Sequence, residues 1–163
     1  MNVLCDACPV IFLGKINQLN LIFELFPGEI IVPRIIKSEI CTPLLPPAEE
    51  KATTTFLNKC SIITIDKATF SSQSLSYADN CILTYALSGK IDILLSDDKL
   101  VRRVALNEKI TPVGTLGVLI RAMKKAILSP DKVRELIHEL IHEHSFRISI
   151  EVFEAVLKII DGF

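Results

Sequence analysis

The stretch Ile91-Asp92-Ile93-Leu94-Leu95-Ser96-Asp97-Asp98-Lys99-Leu100-Val101-Arg102-Arg103-Val104 decides how the chain is read. An apolar run, Ile91 to Leu95, stops abruptly at Ser96-Asp97-Asp98. A helical pattern follows, with Leu100, Val101 and Val104 on one face and Lys99, Arg102 and Arg103 on the other. This is the pattern of a buried strand that delivers two acids at its carboxyl end and runs directly into a helix. In open α/β sheets ligands bind at the carboxyl ends of the strands. The rest of the chain therefore matters first for the other acids it brings to that edge.

Upstream, Val3-Leu4-Cys5 is a short apolar run that ends at Asp6, and Pro9 sits where a helix can start. Residues 9–26 carry apolar residues at helical spacing and predict two short helices broken near Asn17. Pro27-Gly28 is a turn, Ile30-Ile31-Val32 a second strand, and Pro33 opens a helix to Ile40. Residues 42–47 (TPLLPP) exclude helix and predict a linker loop, followed by a helix over Ala48 to Leu57. Ser61 to Ile65 is a third, β-branched strand, and the Ser-rich residues 66–75 are a loop. Ser76 begins a helix that Gly89 ends. Downstream come a short strand near Ile110–Val113 and helices from about Thr115, Pro130 and Ile150. Strands alternating with helices of this length imply an α/β fold with a parallel sheet covered on both faces.

The chain has 163 residues, enough for one domain with a substantial core. Half of it is hydrophobic and its mean hydropathy is +0.44, yet no apolar run is long enough to span a bilayer. The excess is expected in a dense core or a protein interface, a homodimer among the candidates. No basic residue precedes the first apolar stretch and Asp6 interrupts it, so neither a signal peptide nor membrane attachment is expected. The five cysteines, Cys5, Cys8, Cys41, Cys60 and Cys81, are an odd number and predict reduced thiols in a cytoplasmic protein. Cys5 and Cys8 form a lone C-x-x-C inside an apparent strand end, which favours packing over redox chemistry. A net charge of -1 excludes a protein that grips nucleic acid by charge alone, but not one whose site carries its own cations.

Four acids stand out. Parallel strands place Asp6 and Asp98 at one edge. Glu39 and Asp79 each border the apolar stripe of a helix, Glu39 beside Ile35, Ile36 and Ile40, Asp79 before Ile82 and Leu83. Each has an ordinary structural alternative. Asp6 can cap the following helix, Asp79 can complete a capping box with Ser76, Asp98 can pair with Arg102, and Glu39 with Arg34 or Lys37. Gathered at one edge, however, they repel each other, and a hard divalent cation such as Mg²⁺ or Mn²⁺ relieves that repulsion through oxygen ligands.

These residues also carry a resemblance. Val3-Leu4-Cys5-Asp6-Ala7-Cys8-Pro9-Val10-Ile11 resembles the opening strand and acid of the PIN domain family. Pro33 to Ile40 is similar to its second element, Ala78-Asp79-Asn80-Cys81-Ile82 to its third, and Leu95-Ser96-Asp97-Asp98 to its fourth. Gly114-Thr115-Leu116-Gly117-Val118-Leu119-Ile120-Arg121-Ala122 and the later Phe146-Arg147-Ile148-Ser149 resemble a prokaryotic subfamily of predicted nucleic-acid-binding proteins. The resemblance implies a three-layer α/β/α sandwich, with a PIN-like unit over residues 1–128 and a C-terminal helical extension over 129–163 packed on it. It further implies a metal-dependent endoribonuclease using Mg²⁺ or Mn²⁺, with RNA as substrate and, as for many members, an antitoxin as protein partner. Carried over position by position, the catalytic acids are Asp6, Glu39, Asp79 and Asp98, with Asp6, Asp79 and Asp98 as metal ligands. Asp97 is the weaker claimant at the fourth position, since the pattern there is a hydroxyl residue, any residue, then Asp. Ser96 fits the hydroxyl and is assigned, with Arg102 and Arg103, to the substrate. Cys8 departs from the hydroxyl usual at its position, and Asn80-Cys81 from the small residues usual after the third acid.

Two readings compete. His138-Glu139-Leu140-Ile141-His142 matches the H-E-x-x-H zinc-peptidase motif on a predicted helix. Yet Val133, Leu136, Ile137, Leu140 and Ile141 form that helix's apolar stripe, both histidines point away from it, and no third ligand follows, so a polar helix face is expected. The other is a non-catalytic RNA- or protein-binding module that keeps the acids. Gly114 to Gly117 form a G-x-x-G with no basic strip, which reads as a tight entry into a helix rather than a nucleic-acid loop.

Overall fold

The computed structural model describes residues 1–163. Five parallel strands form one sheet in the order β3-β2-β1-β4-β5. They are β1 (Asn2–Cys5), β2 (Glu29–Pro33), β3 (Ser61–Ile63), β4 (Ile93–Leu95) and β5 (Thr111–Val113). The two central strands are the most apolar: Val3, Leu4, Cys5, Leu94 and Leu95 are fully buried, as continuous hydrophobic runs in a two-faced parallel sheet must be. Helices cover both faces, giving the PIN-like α/β/α sandwich that the alternation and the resemblance imply.

The chain first builds outward from β1 to β2 and β3, then returns to place β4 on the other side of β1. The connections are helices α1 (Ala7–Lys15), α2 (Asn20–Leu25), α3 (Arg34–Ile40) and α4 (Pro47–Leu57), then α5 (Tyr77–Tyr85) and α6 (Lys99–Asn107). The strand order therefore reverses between β1 and β4, and in such sheets the crevice at the reversal, outside the carboxyl ends, is where ligands bind. Asp6 and Ser96 are the residues that leave β1 and β4 there. Their amides still bond neighbouring strands, Asp6 to the Leu95 carbonyl at 2.9 Å and Ser96 to the Val113 carbonyl at 3.0 Å. The first chemically useful side chains are thus held at the rigidity of the sheet.

Local sequence accounts for the breaks. Asn17, with φ 53°, separates α1 from α2, at the position where the apolar spacing fails. Pro47 is already the first residue of α4, one residue earlier than the linker reading places it, because proline lacks only an amide that a first helical residue leaves unpaired. Strand β3 ends at Ile63 rather than Ile65, since it lies at the sheet edge with a partner on one side only. Helix α5 widens into a π turn over Ala86–Lys90, where Gly89 takes φ 78°.

The remaining helices, α7 (Thr115–Lys124), α8 (Pro130–His142) and α9 (Ile150–Asp161), stack in sequence, α7 against the sheet layer, α8 on α7, and α9 on both. Their apolar stripes join the same core as the strands, and Phe146 meets Phe12 of α1 edge to face at 4.8 Å. No helix is long and apolar enough to cross a membrane. All five cysteines are free, and Cys5 is fully buried while Cys8 is exposed, so the C-x-x-C is no closed pair.

Truncating a central-strand side chain should cost the cavity it leaves. Leu94→Ala, at a fully buried position, is expected to lower stability by about 2–5 kcal/mol in urea unfolding, with an unchanged m-value.

Candidate active site

Asp6 is the anchor of the edge. It is 6% exposed, and both carboxylate oxygens are engaged: Oδ1 accepts from the Ala7 amide at 2.6 Å and Oδ2 from the Ser96 hydroxyl at 2.8 Å. The first bond caps α1, as the sequence allows; the second ties the ends of β1 and β4 together. Burial nevertheless pushes the Asp6 carboxyl up to about 6, and the charges of Asp79 and Glu39 add to the push against the two hydrogen bonds. Glu39, exposed on α3, is itself raised by burial and by Asp79, and it makes no ion pair with Arg34, Lys37 or any other cation. Three of the four expected acids therefore act on one another across the switch-point crevice without a countercharge.

Cys8 reports the same field independently. Its thiol, on the second residue of α1, is pushed up to about 11 by partial desolvation and then by Asp6, Asp97, Asp79 and Glu39. Without a metal it is therefore a neutral thiol at neutral pH, in an acidic setting.

Asp79 is drawn two ways. Its Oδ2 accepts from the Ser76 amide at 3.0 Å and the Ser76 hydroxyl at 2.6 Å, while its own amide donates to the Ser76 hydroxyl at 3.1 Å. This is the capping box that Ser76 and Asp79 permit. It leaves Oδ1 without a protein partner. Next to it, Asn80 explains its departure from a small residue. Its side chain accepts from the Ser72 amide at 2.9 Å and donates toward the carbonyls of Ser72, Leu75 and Ser76, pinning the loop before α5.

The two adjacent aspartates divide their work. Asp98 caps α6, its Oδ1 accepting from Leu100 and Val101 at 2.8 Å each, with Oδ2 unengaged. Asp97 turns the other way and caps α7 from outside that helix, accepting from the Thr115 amide at 2.8 Å and the Thr115 hydroxyl at 2.6 Å. Burial raises the Asp97 carboxyl, while Thr115 and the guanidinium of Arg102 draw it down. Arg102 thus acts on Asp97 by charge alone, with no ion pair to either aspartate. Arg103 is exposed and makes no ion pair. Ser96, fully buried, links the groups: its hydroxyl donates to Asp6 and accepts from the Asp98 amide at 3.2 Å.

Thr115 and Gly114 are the residues that sequence reasoning missed, having taken the Gly-Thr pair only as a turn into a helix. A Cβ on Gly114 would lie 2.6 Å from Asp97 Oδ1 and 3.0 Å from an Arg102 nitrogen. The signal available was a hydroxyl residue at the first position of a helix that follows a strand, beside an acid pair with one acid to spare.

The donor chemistry of this edge suits a hard cation: several carboxylates, unbalanced charge and no competing thiolate. No three of these side chains converge closely enough to hold a metal ion as they stand, because Asp79 faces Ser76 and Asp98 faces its own helix. The histidines of α8 lie elsewhere. His138 and His142 are exposed with ring centroids 4.0 Å apart, Glu139 faces His144 at 3.5 Å, and no third ligand joins them.

A family model described as a PIN domain matches residues 2–161. The chain belongs to the PIN domain family. PIN domains are generally nucleases that use divalent metal ions, and the family suggests interaction with nucleic acid. The chain is also similar to a pentatricopeptide repeat-containing protein of Arabidopsis thaliana, 34% identical over 85 residues, which is 52% of this chain and 12% of that protein's length.

Two outcomes follow from this PIN edge. Asp6 binds its proton more tightly in the folded chain, at about 6 against an ordinary 3.8, so the stability it confers is complete below the ordinary value and is lost as pH rises through about 6. Asp6→Asn should therefore raise stability by roughly 2 kcal/mol at pH 7.5 and flatten its fall between pH 4 and 6, as read by chemical unfolding across pH. Gly114→Ala should displace Asp97 from Thr115 and cost about 1–3 kcal/mol; the same unfolding assay at pH 7.5 measures it.

Proposed function

We propose that the chain is a metal-dependent endoribonuclease that cleaves RNA phosphodiester bonds at the Asp6 edge and is held in check by an antitoxin protein. The observation that carries the reading is the Asp6 carboxyl, buried at the strand reversal, raised chiefly by that burial and further by two neighbouring acids, and paired with no cation of the chain. A structural cap has no need of that company. Asp6, Asp79 and Asp98 would hold Mg²⁺ or Mn²⁺, and the free Oδ1 of Asp79 and Oδ2 of Asp98 support their assignment. Asp97, with both oxygens on Thr115, supports the loop instead.

The bound cation would supply Lewis-acid charge against the negative charge that builds on the phosphate and the leaving oxygen. The chain's own groups do the rest. Ser96 fixes the orientation of Asp6 and so of the edge. Glu39, exposed and with a raised affinity for a proton, would accept one from the attacking water. Arg102 and Arg103 form no ion pair within the chain and would be free to meet a substrate phosphate. We also read residues 129–163 as a helical extension of the same domain, supported by the Phe12–Phe146 contact, and the protein as cytoplasmic and dimeric.

Purified protein incubated with a mixed single-stranded RNA pool tests the reading. Cleavage is expected with Mg²⁺ or Mn²⁺, none with EDTA, and a loss of at least about 100-fold in both Asp6→Asn and Asp98→Asn. RNA retention without cleavage under every metal would instead mark a binding module. Activity that requires Zn²⁺ and His138 would move the chemistry to α8.

A further inference from the structure

The amino edge of the sheet, opposite the acids, carries the reverse charge. A cavity of about 240 Å³ opens there, where the end of α2, the start of β4 and the end of α7 meet. Leu25, Phe26 and Ile93, all buried, line its inner part, and Arg121, Lys124 and Lys125, all exposed, line its mouth. No acid lines it, and none of the three cations forms an ion pair, although the chain's 19 acids outnumber its 18 lysines and arginines. Lys124 and Lys125 stand three and four residues after Arg121, the spacing at which like charges on a helix repel. The carboxyl end of a helix favours a cation, which accounts for their sign but not for three of them around one cavity. Two are held in place: the Arg121 guanidinium lies 5.7 Å from the centre of the Phe26 ring, and Lys125 Nζ donates to the Leu25 carbonyl at 3.4 Å. Lys124 is left without either contact.

We propose that this cavity binds a phosphomonoester of nucleotide size. A phosphomonoester is close to a dianion at neutral pH and offers three strong acceptor oxygens, whereas a phosphodiester within a strand carries a single charge. Three cations around one small cavity match the former. The Arg121 fork suits two of the oxygens, and the ammonium groups of Lys124 and Lys125 add charge with little demand on direction. The size of the cavity agrees. It has room for about eight waters at roughly 30 Å³ each, more than a bare phosphate needs. It is smaller than the pockets of about 300–1,000 Å³ that enclose drug-sized ligands. A phosphate with its sugar fits, the sugar carbons meeting Leu25, Phe26 and Ile93. Helix α7 separates this site from the acids: Thr115, bonded to Asp97, begins it and Lys124 ends it. Its rise sets the two roughly 14 Å apart, beyond the screening length of about 10 Å, so the two edges keep opposite charge without cancelling. Such a group has two sources, a free nucleotide or the 5′-phosphorylated end of an RNA strand, and both present the same chemistry. The proposal does not rest on the nuclease reading.

Titration calorimetry of the full chain with AMP and with adenosine tests it, in EDTA so that no metal holds the phosphate. AMP should bind and adenosine should not. Lys124→Glu should weaken AMP binding at least about 10-fold, and Lys124→Arg should preserve it. Both variants should keep the wild-type melting temperature, because Lys124 is exposed and forms no ion pair. Lys158→Glu, a charge reversal of equal size on the exposed side of α9, should leave AMP binding unchanged. Fluorescence anisotropy of a 3′-labelled single-stranded RNA, bearing a 5′-phosphate or a 5′-hydroxyl, then separates the sources. Tighter binding of the phosphorylated strand, lost in Lys124→Glu, assigns the cavity to RNA ends. AMP binding with no difference between the strands assigns it to a free nucleotide. Absence of AMP binding together with equal binding of the two strands would overturn the proposal. Adenosine binding as well as AMP, or AMP binding that Lys124→Glu leaves intact, would equally overturn it.

Discussion

Everything at the carboxyl edge of this sheet depends on one buried carboxylate. Asp6 leaves β1 at the point where the strand order reverses, and its two oxygens are spent on Ala7 and Ser96. Those bonds join the start of α1 to the end of β4, so the same side chain caps a helix and closes the crevice between the two central strands. The arrangement is electrostatically expensive. Burial and two like charges lift the carboxyl to about 6, although hydrogen bonds alone would hold it low. A fold that needed only the cap would be served as well by serine or asparagine.

The other acids repeat this double duty. Asp79 closes a capping box and still presents a free oxygen; Asp98 caps α6 and does the same. Asp97 ties the β4–α6 loop to the start of α7 through Thr115, with Gly114 leaving room for its carboxylate. In each case the bond that builds the fold also fixes the backbone from which the carboxylate projects. The capping interpretation and the functional one are thus not rivals at these positions, since a capped aspartate is a pre-oriented one.

Much of this was legible in the sequence. The strand ending at Leu95, shorter by two residues than the apolar run Ile91–Leu95 predicts, the break at Asn17, the Ser76 capping box and the polar face of the His138–His142 helix follow from periodicity, turn residues and capping chemistry. These are local properties, written within a few residues of where they act. What was not legible is non-local. That Asp97 caps a helix beginning eighteen residues later and that Asn80 pins the loop back to Ser72 both depend on how β4, β5 and α5 are placed in space. The order of acids along the chain predicts a shared edge; it does not say which oxygen of each is already taken.

That last point bears on how a polyanion is to approach. Asp6, Glu39, Asp79 and Asp97 all act on Cys8, and Arg102, which draws the Asp97 carboxyl down from a distance, forms no ion pair with any of them. The crevice is therefore negative on its own, in a chain of net charge -1, and a phosphate entering it meets repulsion before it meets a partner. Surface lysines elsewhere do little for this, because screening confines their influence to about 10 Å. Positive charge has to be supplied inside the crevice itself, where carboxylates are the available ligands. Small, hard, divalent ions would answer that requirement, since they bring the charge through the carboxylate oxygens that the edge supplies. The acidity of the edge thus limits what it binds more strictly than its shape does.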